Sequence, residues 1–433
     1  MKIYTVIILC CLNFFFTFSQ KFNKRIERKI KKIESLDGAH IAISLMDLNS
    51  GKKLAAMDEN KYMNPASNTK LLTFLASINS FDSIPSIKYF IENDTILNFK
   101  STGFPLLLHP IYQDLNLFKF FENKDYLVYH NSKEVIPKYG PGWSWDDYNY
   151  YFSSEISKFP IYGNVVSIYK DSLTSNIKTF PKFFNDKLKF IDRDDESLIN
   201  RNKDKNFYII NKRNWKIKDS IKMPFITSDS LFSNLLSIAL EKRVKTIDEK
   251  YNSNINWQTL YTNYDETLYK ALLQNSDNLI AESLLLMISN SKFQSFDSNL
   301  AIELFKNEWS SFLKDPLIWV DGSGVSRYNL ITSRNLISVL YQIHKKIGWK
   351  GVSNLFPAGG ISGTIKDHYK LKNKPFVFAK TGTLRNNHNL SGFLIGKSKK
   401  KFIFSIMINH HKSSNEDVKK GIADLLFYLR KKL

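Results

Sequence analysis

Apolar and polar positions alternate with different periods along the chain, and the changes of period mark its elements. Phe22, Ile26, Ile30 and Ile33 recur at helical spacing, which predicts an amphipathic helix over Lys21 to Ser35 with a strongly basic outer face. His40 to Leu48 reads as a strand running into an Asn49-Ser50-Gly51 turn, and Lys53 to Met57 returns, giving a hairpin. Leu71, Leu72, Phe74, Leu75 and Ile78 then repeat as one face of a largely buried helix that starts just after Pro65. From about Ser86 to Ile255 short β-like runs take over, among them Ile96 to Phe99, Val165 to Tyr169 and Phe207 to Ile210. Charged stretches such as Asp192 to Glu196 separate them, and no internal repeat is visible. Helical periodicity resumes over Glu266 to Leu273, breaks at Asn275 to Asn278, and continues over Leu279 to Ile288. Thr332 to Ile347 reads as a helix with a Thr/Ser start. Pro375 to Lys380, Leu390 to Gly396 and Phe402 to Asn409 read as three strands, and Glu416 to Leu433 as a closing helix.

This texture divides the 433 residues into four stretches: a leader over 1–19, a first domain part over 20–85, a strand-rich insertion over 86–255 and a second domain part over 256–433. With 43% hydrophobic and 14% aromatic residues the chain can bury more than one core. The leader has Lys2, an apolar run from Val6 to Phe16, and small residues at Thr17 and Ser19, the pattern of a signal peptide cut after Ser19. An exported protein of the periplasm or cell envelope is expected, with an uncleaved anchor as the alternative. Cys10 and Cys11 both lie in that run, so the mature protein has no cysteine and relies on its core instead of disulfides. The net charge of +21 raises the question of a polyanionic partner. Lysines scattered among asparagines with no recognised nucleic-acid motif exclude nucleic acid as the partner. Attraction to an anionic envelope surface or polymer, and a mere compositional bias, both fit the charge.

The chemistry-bearing residues change the picture more. Ser67 and Lys70 are three apart, so they share the first turn of the helix after Pro65. There the positive helix end and partial desolvation favour a neutral, basic amine beside an activated hydroxyl. Ser-x-x-Lys alone is a weak signal, since it recurs at Ser50/Lys53, Ser175/Lys178, Ser311/Lys314 and Ser398/Lys401. Ser67 is singled out by the order of two downstream motifs: Ser276-Asp277-Asn278 on a tight connection between two helices, then Lys380-Thr381-Gly382-Thr383 at the end of an edge-like strand. Lys-Thr-Gly occurs once in the chain, and Gly382 leaves room for a substrate backbone alongside. Asp321 to Gly324 reads as a scaffold turn in preference to a catalytic element, since Asp and Gly are what a turn demands. His410-His411 reads as a surface pair, the eight histidines showing no metal-ligand spacing. Trp143 and Trp145 read as packing residues in preference to a glycan platform.

The ordered triple is the signature of β-lactamases and penicillin-binding proteins. The longer blocks PASNTKLLT (Pro65 to Thr73), DGSGVSR (Asp321 to Arg327), KTGTL (Lys380 to Leu384) and LSG (Leu390 to Gly392) narrow it. With Gly360 to Thr364 and Trp143 to Asp147, they make the chain similar to the low-molecular-mass class C penicillin-binding proteins, the D-alanyl-D-alanine carboxypeptidase/endopeptidase family. The resemblance runs from about residue 38 to 410 and includes extra domains between the nucleophile and the Ser-x-Asn element. It implies an α+β fold: a serine β-lactamase/DD-transpeptidase-like domain, an antiparallel sheet flanked by helices, with a strand-rich inserted region. In the implied mechanism Ser67 attacks the carbonyl between two D-alanines and Lys70 takes its proton. The oxyanion rests on the backbone N–H groups of Ser67 and Thr383. Ser276 and Asn278 serve the leaving amine and the peptide amide, while Lys380, Thr381 and Thr383 receive a terminal carboxylate. The implied partners are peptidoglycan peptides and β-lactams, with no metal and no cofactor. In place of the family's Gly-Asp-Pro turn the chain has Leu107-Leu108-His109-Pro110. The competing readings are a β-lactamase or related serine esterase, and a catalytically silent envelope-binding protein.

Overall fold

A computed structural model describes residues 22–194, 198–215, 220–249, 255–372 and 374–433. The leader with Cys10, Cys11 and its cleavage point lies outside the described residues. In chain order the elements begin with α1 over residues 22–30, β1 (His40–Asp47), β2 (Lys53–Met57), α2 (Lys70–Ser80), β3 (Pro85–Glu92), β4 (Ile96–Ser101), α3 (Leu115–Glu122) and β5 (Tyr126–Asn131). Short strands come next: β6 (Val165–Lys170), β7 (Ile177–Phe180), β8 (Leu188–Ile191), β9 (Ile199–Arg201), β10 (Tyr208–Asn211) and β11 (Ile221–Pro224). Then come α4 (Asp229–Leu240), β12 (Val244–Asp248), β13 (Gln258–Tyr261), α5 (Asp265–Leu273), α6 (Asn278–Phe293), α7 (Ser298–Trp309) and α8 (Ser333–Leu355). The chain closes with β14 (Val377–Leu384), β15 (Asn387–Ile395), β16 (Lys401–Asn409) and α9 (Asn415–Lys432). The fold is α+β, and it forms two compact units.

The first unit holds the chain up to Ala76, Leu272–Ser276 and Glu303–Leu433. Its centre is a five-stranded antiparallel sheet in the order β14-β15-β16-β1-β2, so the two ends of the chain meet where β1 pairs with β16. Strands β14 to β16 are buried along nearly their whole length, because helices cover both faces. On one face α1 and α9 supply Phe22, Ile26, Ile30, Val418, Ile422, Leu425 and Leu429 to a continuous core with Ile43, Leu390 and Phe404. On the other, Phe393 meets Phe356 and Trp349 of the α8 end, and Phe356 meets Phe74 of α2. Burying one such aromatic ring contributes about 1.5–3 kcal/mol, which is why apolar periodicity located these helices. In α8 helical geometry is interrupted at Gly348, at φ +63°, one residue past the end that the sequence predicts.

The second unit holds Ser77–Ala271 and Asp277–Ile302. It contains a five-stranded mixed sheet, β12-β5-β4-β3-β13, and two three-stranded sheets, β8-β10-β9 and β11-β6-β7. Helices α3 and α4 pack on the larger sheet through Phe99–Phe121 and Tyr129–Phe232 ring contacts. These two helices are absent from the sequence reading of the insertion. Both are short and start on a polar cap, Asp114 accepting from the N–H groups of Asn116 and Leu117, and Ser228 from that of Leu231. Of the two tryptophans read as packing, Trp143 packs against the Ile156–Leu286–Phe296 cluster. Trp145 does not: it is 77% exposed, with Lys203 over its ring. Its amphipathic ring is content in water when a cation covers one face.

Candidate active site

The residues from Asn64 to Lys70 form a tight 3-10 turn, Ala66–Thr69, that runs directly into α2. Ala66 sits at φ +48°, a left-handed conformation that costs a residue with a side chain about 1–3 kcal/mol and persists only where its surroundings hold it. They do so here. Asn64 Oδ1 accepts from Ala66 N at 3.0 Å, Thr69 Oγ1 donates to the Ala66 carbonyl at 2.8 Å, and Asn389 of β15 donates to the Asn64 carbonyl at 2.9 Å. The turn thereby presents Ser67, half-buried, with Lys70 fully buried behind it. Lys70 Nζ lies 3.1 Å from Ser67 Oγ and donates to the Ser323 carbonyl at 2.6 Å.

Ser323 belongs to the glycine-rich turn 321–324, which the sequence reading treats as scaffold. It is a scaffold, and one that touches the amine. Asp321 Oδ1 accepts from Gly324 N at 2.8 Å and from Asn329 Nδ2 at 2.7 Å, and its Oδ2 from Ser326 N at 2.6 Å. Thr73 of α2 donates to the Gly322 carbonyl at 2.6 Å. Gly324 is at φ +79°, and a Cβ there would lie 1.9 Å from the Ala66 carbonyl oxygen. The glycine is what lets this turn close on the turn that carries Ser67.

Strand β14 brings in the third motif. Asn68 Nδ2 donates to the Lys380 carbonyl at 2.9 Å, and a Cβ on Gly382 would stand 2.3 Å from the Pro65 carbonyl oxygen. Lys380 is fully buried and donates to Ser276 Oγ at 2.9 Å and to the Thr381 carbonyl at 2.8 Å. Burial, with the charge of Lys70 second, pushes the Lys380 amine well below the usual lysine range. Ser276 is itself at φ +60°, on the connection between α5 and α6. Thr381 Oγ1 donates to Thr364 Oγ1 at 2.8 Å. Thr383 is exposed at the edge, with its hydroxyl 2.8 Å from His388 Nδ1.

The structure thus brings Ser67, Lys70, Ser276, Lys380, Thr381, Gly382 and Thr383 together within the first unit. Asn278 belongs to the second, as the first residue of α6, where its amide donates to the Phe152 carbonyl at 2.7 Å. Beside it Asp277 caps α6 by accepting from Ile280 N at 3.0 Å. His109, at the position of the divergent turn, lies 3.8 Å from the Asp277 carboxylate and accepts at Nδ1 from the N–H groups of Ile111 and Tyr112. Sequence reasoning missed Asn68, Ser323, Thr364 and His388 as site neighbours. The first three lie in blocks that carry the resemblance. The fourth had a signal in the turn 384–387, which sets Thr383 opposite His388.

A family profile for D-Ala-D-Ala carboxypeptidase 3 (S13) matches residues 22–103 and 264–429, more than half of the chain. The chain belongs to that family. Among curated relatives, this S13 chain is 31% identical over 170 residues to D-alanyl-D-alanine carboxypeptidase DacB of Haemophilus influenzae, covering 38% of this chain and 35% of that protein. It is 25% identical over 232 residues to penicillin-sensitive carboxypeptidase A of Dictyostelium discoideum, covering 49% and 44%. The chain therefore spans less than half the length of either relative. Its fold matches the crystal structure of penicillin binding protein 4 (dacB) from Haemophilus influenzae with a TM-score of 0.73 at 21% identity, over 94% of this chain and 99% of that one. The same protein complexed with a novel β-lactam matches with a TM-score of 0.66 at 18% identity, over 94% and 98%.

Proposed function

We propose that this S13 chain is a serine-type D-Ala-D-Ala carboxypeptidase/endopeptidase that acts on peptidoglycan stem peptides through an acyl-enzyme on Ser67 and is acylated by penicillins. The observation that carries the reading is the 3.1 Å approach of Ser67 Oγ to the amine of a fully buried lysine. In its neutral form the Lys70 amine can accept the serine proton while an N–H stays on the Ser323 carbonyl. Ser67 Oγ attacks the carbonyl carbon, and the oxyanion is received by the backbone N–H groups of Ser67 and Thr383. Collapse breaks the C–N bond, and Ser276, hydrogen-bonded to Lys380, hands its proton to the departing D-alanine amine and takes in its place the proton that Lys70 drew from Ser67, so that the Lys70 amine is neutral again and can accept a proton from the incoming water. Water then cleaves the ester and returns Ser67. In this reading Asn278 holds the substrate amide, and Lys380, Thr381 and Thr383 form the pocket for the terminal carboxylate. The Thr381 hydroxyl reaches it by turning from Thr364.

Export to the periplasm or cell envelope belongs to the same proposal. The leader pattern supports it, and among the described residues no helix is long and apolar enough to cross a membrane. Attraction of the basic surface to an anionic envelope face is part of it too.

Fluorescent penicillin tests the reading. A durable adduct on the peptide containing Ser67, lost in Lys70→Ala with the fold kept, is the expected result, together with release of D-alanine from a peptide ending in D-Ala-D-Ala. Rapid turnover of the drug would make the chain a β-lactamase. No adduct at all would make it a silent binding protein, and an adduct on Ser276 or Ser323 would remove Ser67 from the mechanism.

A further inference from the structure

Thr383 is exposed at the end of β14, and the strand register sets it directly opposite His388 of β15. Directly opposed residues of an antiparallel pair project to the same side, so the two side chains meet. His388 Nδ1 is 2.8 Å from Thr383 Oγ1, the ring is only 1% exposed, and its Nε2 is buried with no hydrogen-bond partner among the described residues. A neutral imidazole has one proton for two nitrogens, and the hydroxyl can serve either as donor or as acceptor. Which arrangement holds decides what Thr383 can offer a ligand.

The burial of Nε2 selects the tautomer. If the proton sat on Nε2, a buried N–H would be left without an acceptor, which folded proteins avoid more strictly than a bare lone pair. The proton therefore sits on Nδ1 and is donated to Thr383 Oγ1.

We infer that His388 is a positioning residue that presets the Thr383 hydroxyl as a hydrogen-bond donor and so sets the preference of the pocket for an anionic substrate terminus. With its oxygen already accepting from His388, Thr383 turns its own proton outward, toward whatever occupies the pocket. A carboxylate can accept that proton. A carboxamide, with one oxygen in place of two and no charge, makes a poorer acceptor. This rests on the proposed carboxylate pocket and adds the residue that tunes it.

The experiment compares two acyl-D-Ala-D-Ala peptides, one with a free terminal carboxylate and one with a terminal carboxamide, on the full chain. Wild type should favour the carboxylate peptide, and His388→Leu should reduce the ratio of kcat/KM values between the peptides about tenfold, the scale of one lost hydrogen bond to a charged group. The loss should be carried by KM of the carboxylate peptide. His388→Asn, whose amide can donate from nearly the position of Nδ1, should restore most of the ratio. General damage to the fold lowers both peptides together and leaves the ratio as it was. Nitrogen-15 NMR of histidine-labelled wild type, with His388 assigned through its loss in His388→Asn, should show a protonated Nδ1 and a bare Nε2. The inference falls if the ring carries its proton on Nε2, which remains decisive should the leucine variant not fold. It also falls if His388→Leu keeps the wild-type ratio. If wild type treats the two peptides alike while the ring is protonated on Nδ1, the carboxylate pocket itself is what fails.

Discussion

Protonating His388 costs the folded chain more than the unfolded one. Burial first, and then the positive charges of Lys419, His411, His368 and Lys380, push the imidazole from its ordinary 6.5 down to about 3. Below the ordinary value the unfolded chain takes up a proton that the folded chain refuses. The contribution of His388 is therefore fully present above about pH 6.5 and is lost progressively as the pH falls toward 3. Between pH 7.5 and pH 5 the loss amounts to about 2 kcal/mol. Urea unfolding of wild type and His388→Asn at the two pH values measures it: the variant should lose about 2 kcal/mol less than wild type, and equal losses would show that another group titrates. Residues of this kind are the least legible in sequence. Ser67, Lys70 and Lys380 stand out because their chemistry is tied to fixed local spacings. The roles of His388 and Ser323 exist only once a hairpin register or a distant turn places them. His411 shows the same limit. It is not the surface residue that its position after a strand suggests, but is buried, with Nδ1 donating to the Ser413 carbonyl at 2.9 Å, while His410 beside it is exposed.

At the scale of elements, the site depends on three backbone segments approaching closer than side chains allow. The turn 321–324 and strand β14 both close on the turn that carries Ser67, and each does so at a glycine, Gly324 and Gly382. For Gly324→Ala the left-handed φ of +79° and a Cβ placed 1.9 Å from the Ala66 carbonyl add to each other. A backbone atom cannot be moved aside as a flexible side chain can. Destabilisation by about 3 kcal/mol or more is expected, with loss of penicillin labelling even at temperatures where the variant is folded, because Ser323 and Ala66 are displaced together. Thermal melting read beside labelling checks this, and a variant with wild-type labelling would show that the turn can shift without disturbing Lys70. The elements themselves were largely legible. Helices with an apolar stripe and strands bounded by turns emerge from periodicity, whereas α3 and α4 interrupt a region whose average texture is strand-like.

At the scale of the molecule, the two units show why a linear reading of boundaries has a limit. Helix α6 comes directly after the Ser276 connection in sequence, yet it belongs to the unit that begins at Ser77, where its Leu286 packs with Ile156 and Phe296, so that packing and not chain order decides membership. Charge is the other property of the whole chain. In the first unit the outward side of α1 carries exposed Lys24, Arg25 and Arg28, with Lys31 and Lys32 just beyond, and α9 on the same sheet face ends in exposed Lys431 and Lys432. Each cation near an anionic surface contributes about 1 kcal/mol of attraction within a screening length. That length shrinks from about 30 Å at 0.01 M salt to about 3 Å at 1 M. Purified protein should therefore sediment with phosphatidylglycerol-containing vesicles at low salt, stay in solution with purely zwitterionic ones, and be released as salt rises. Reversing Lys24, Arg25 and Arg28 to glutamate should weaken the binding while penicillin labelling of Ser67 persists, since these residues lie on the outward side of α1. Binding that ignores salt, or that survives the charge reversal unchanged, would mean that this helical layer is not the contact face and that the net charge of +21 reflects composition alone.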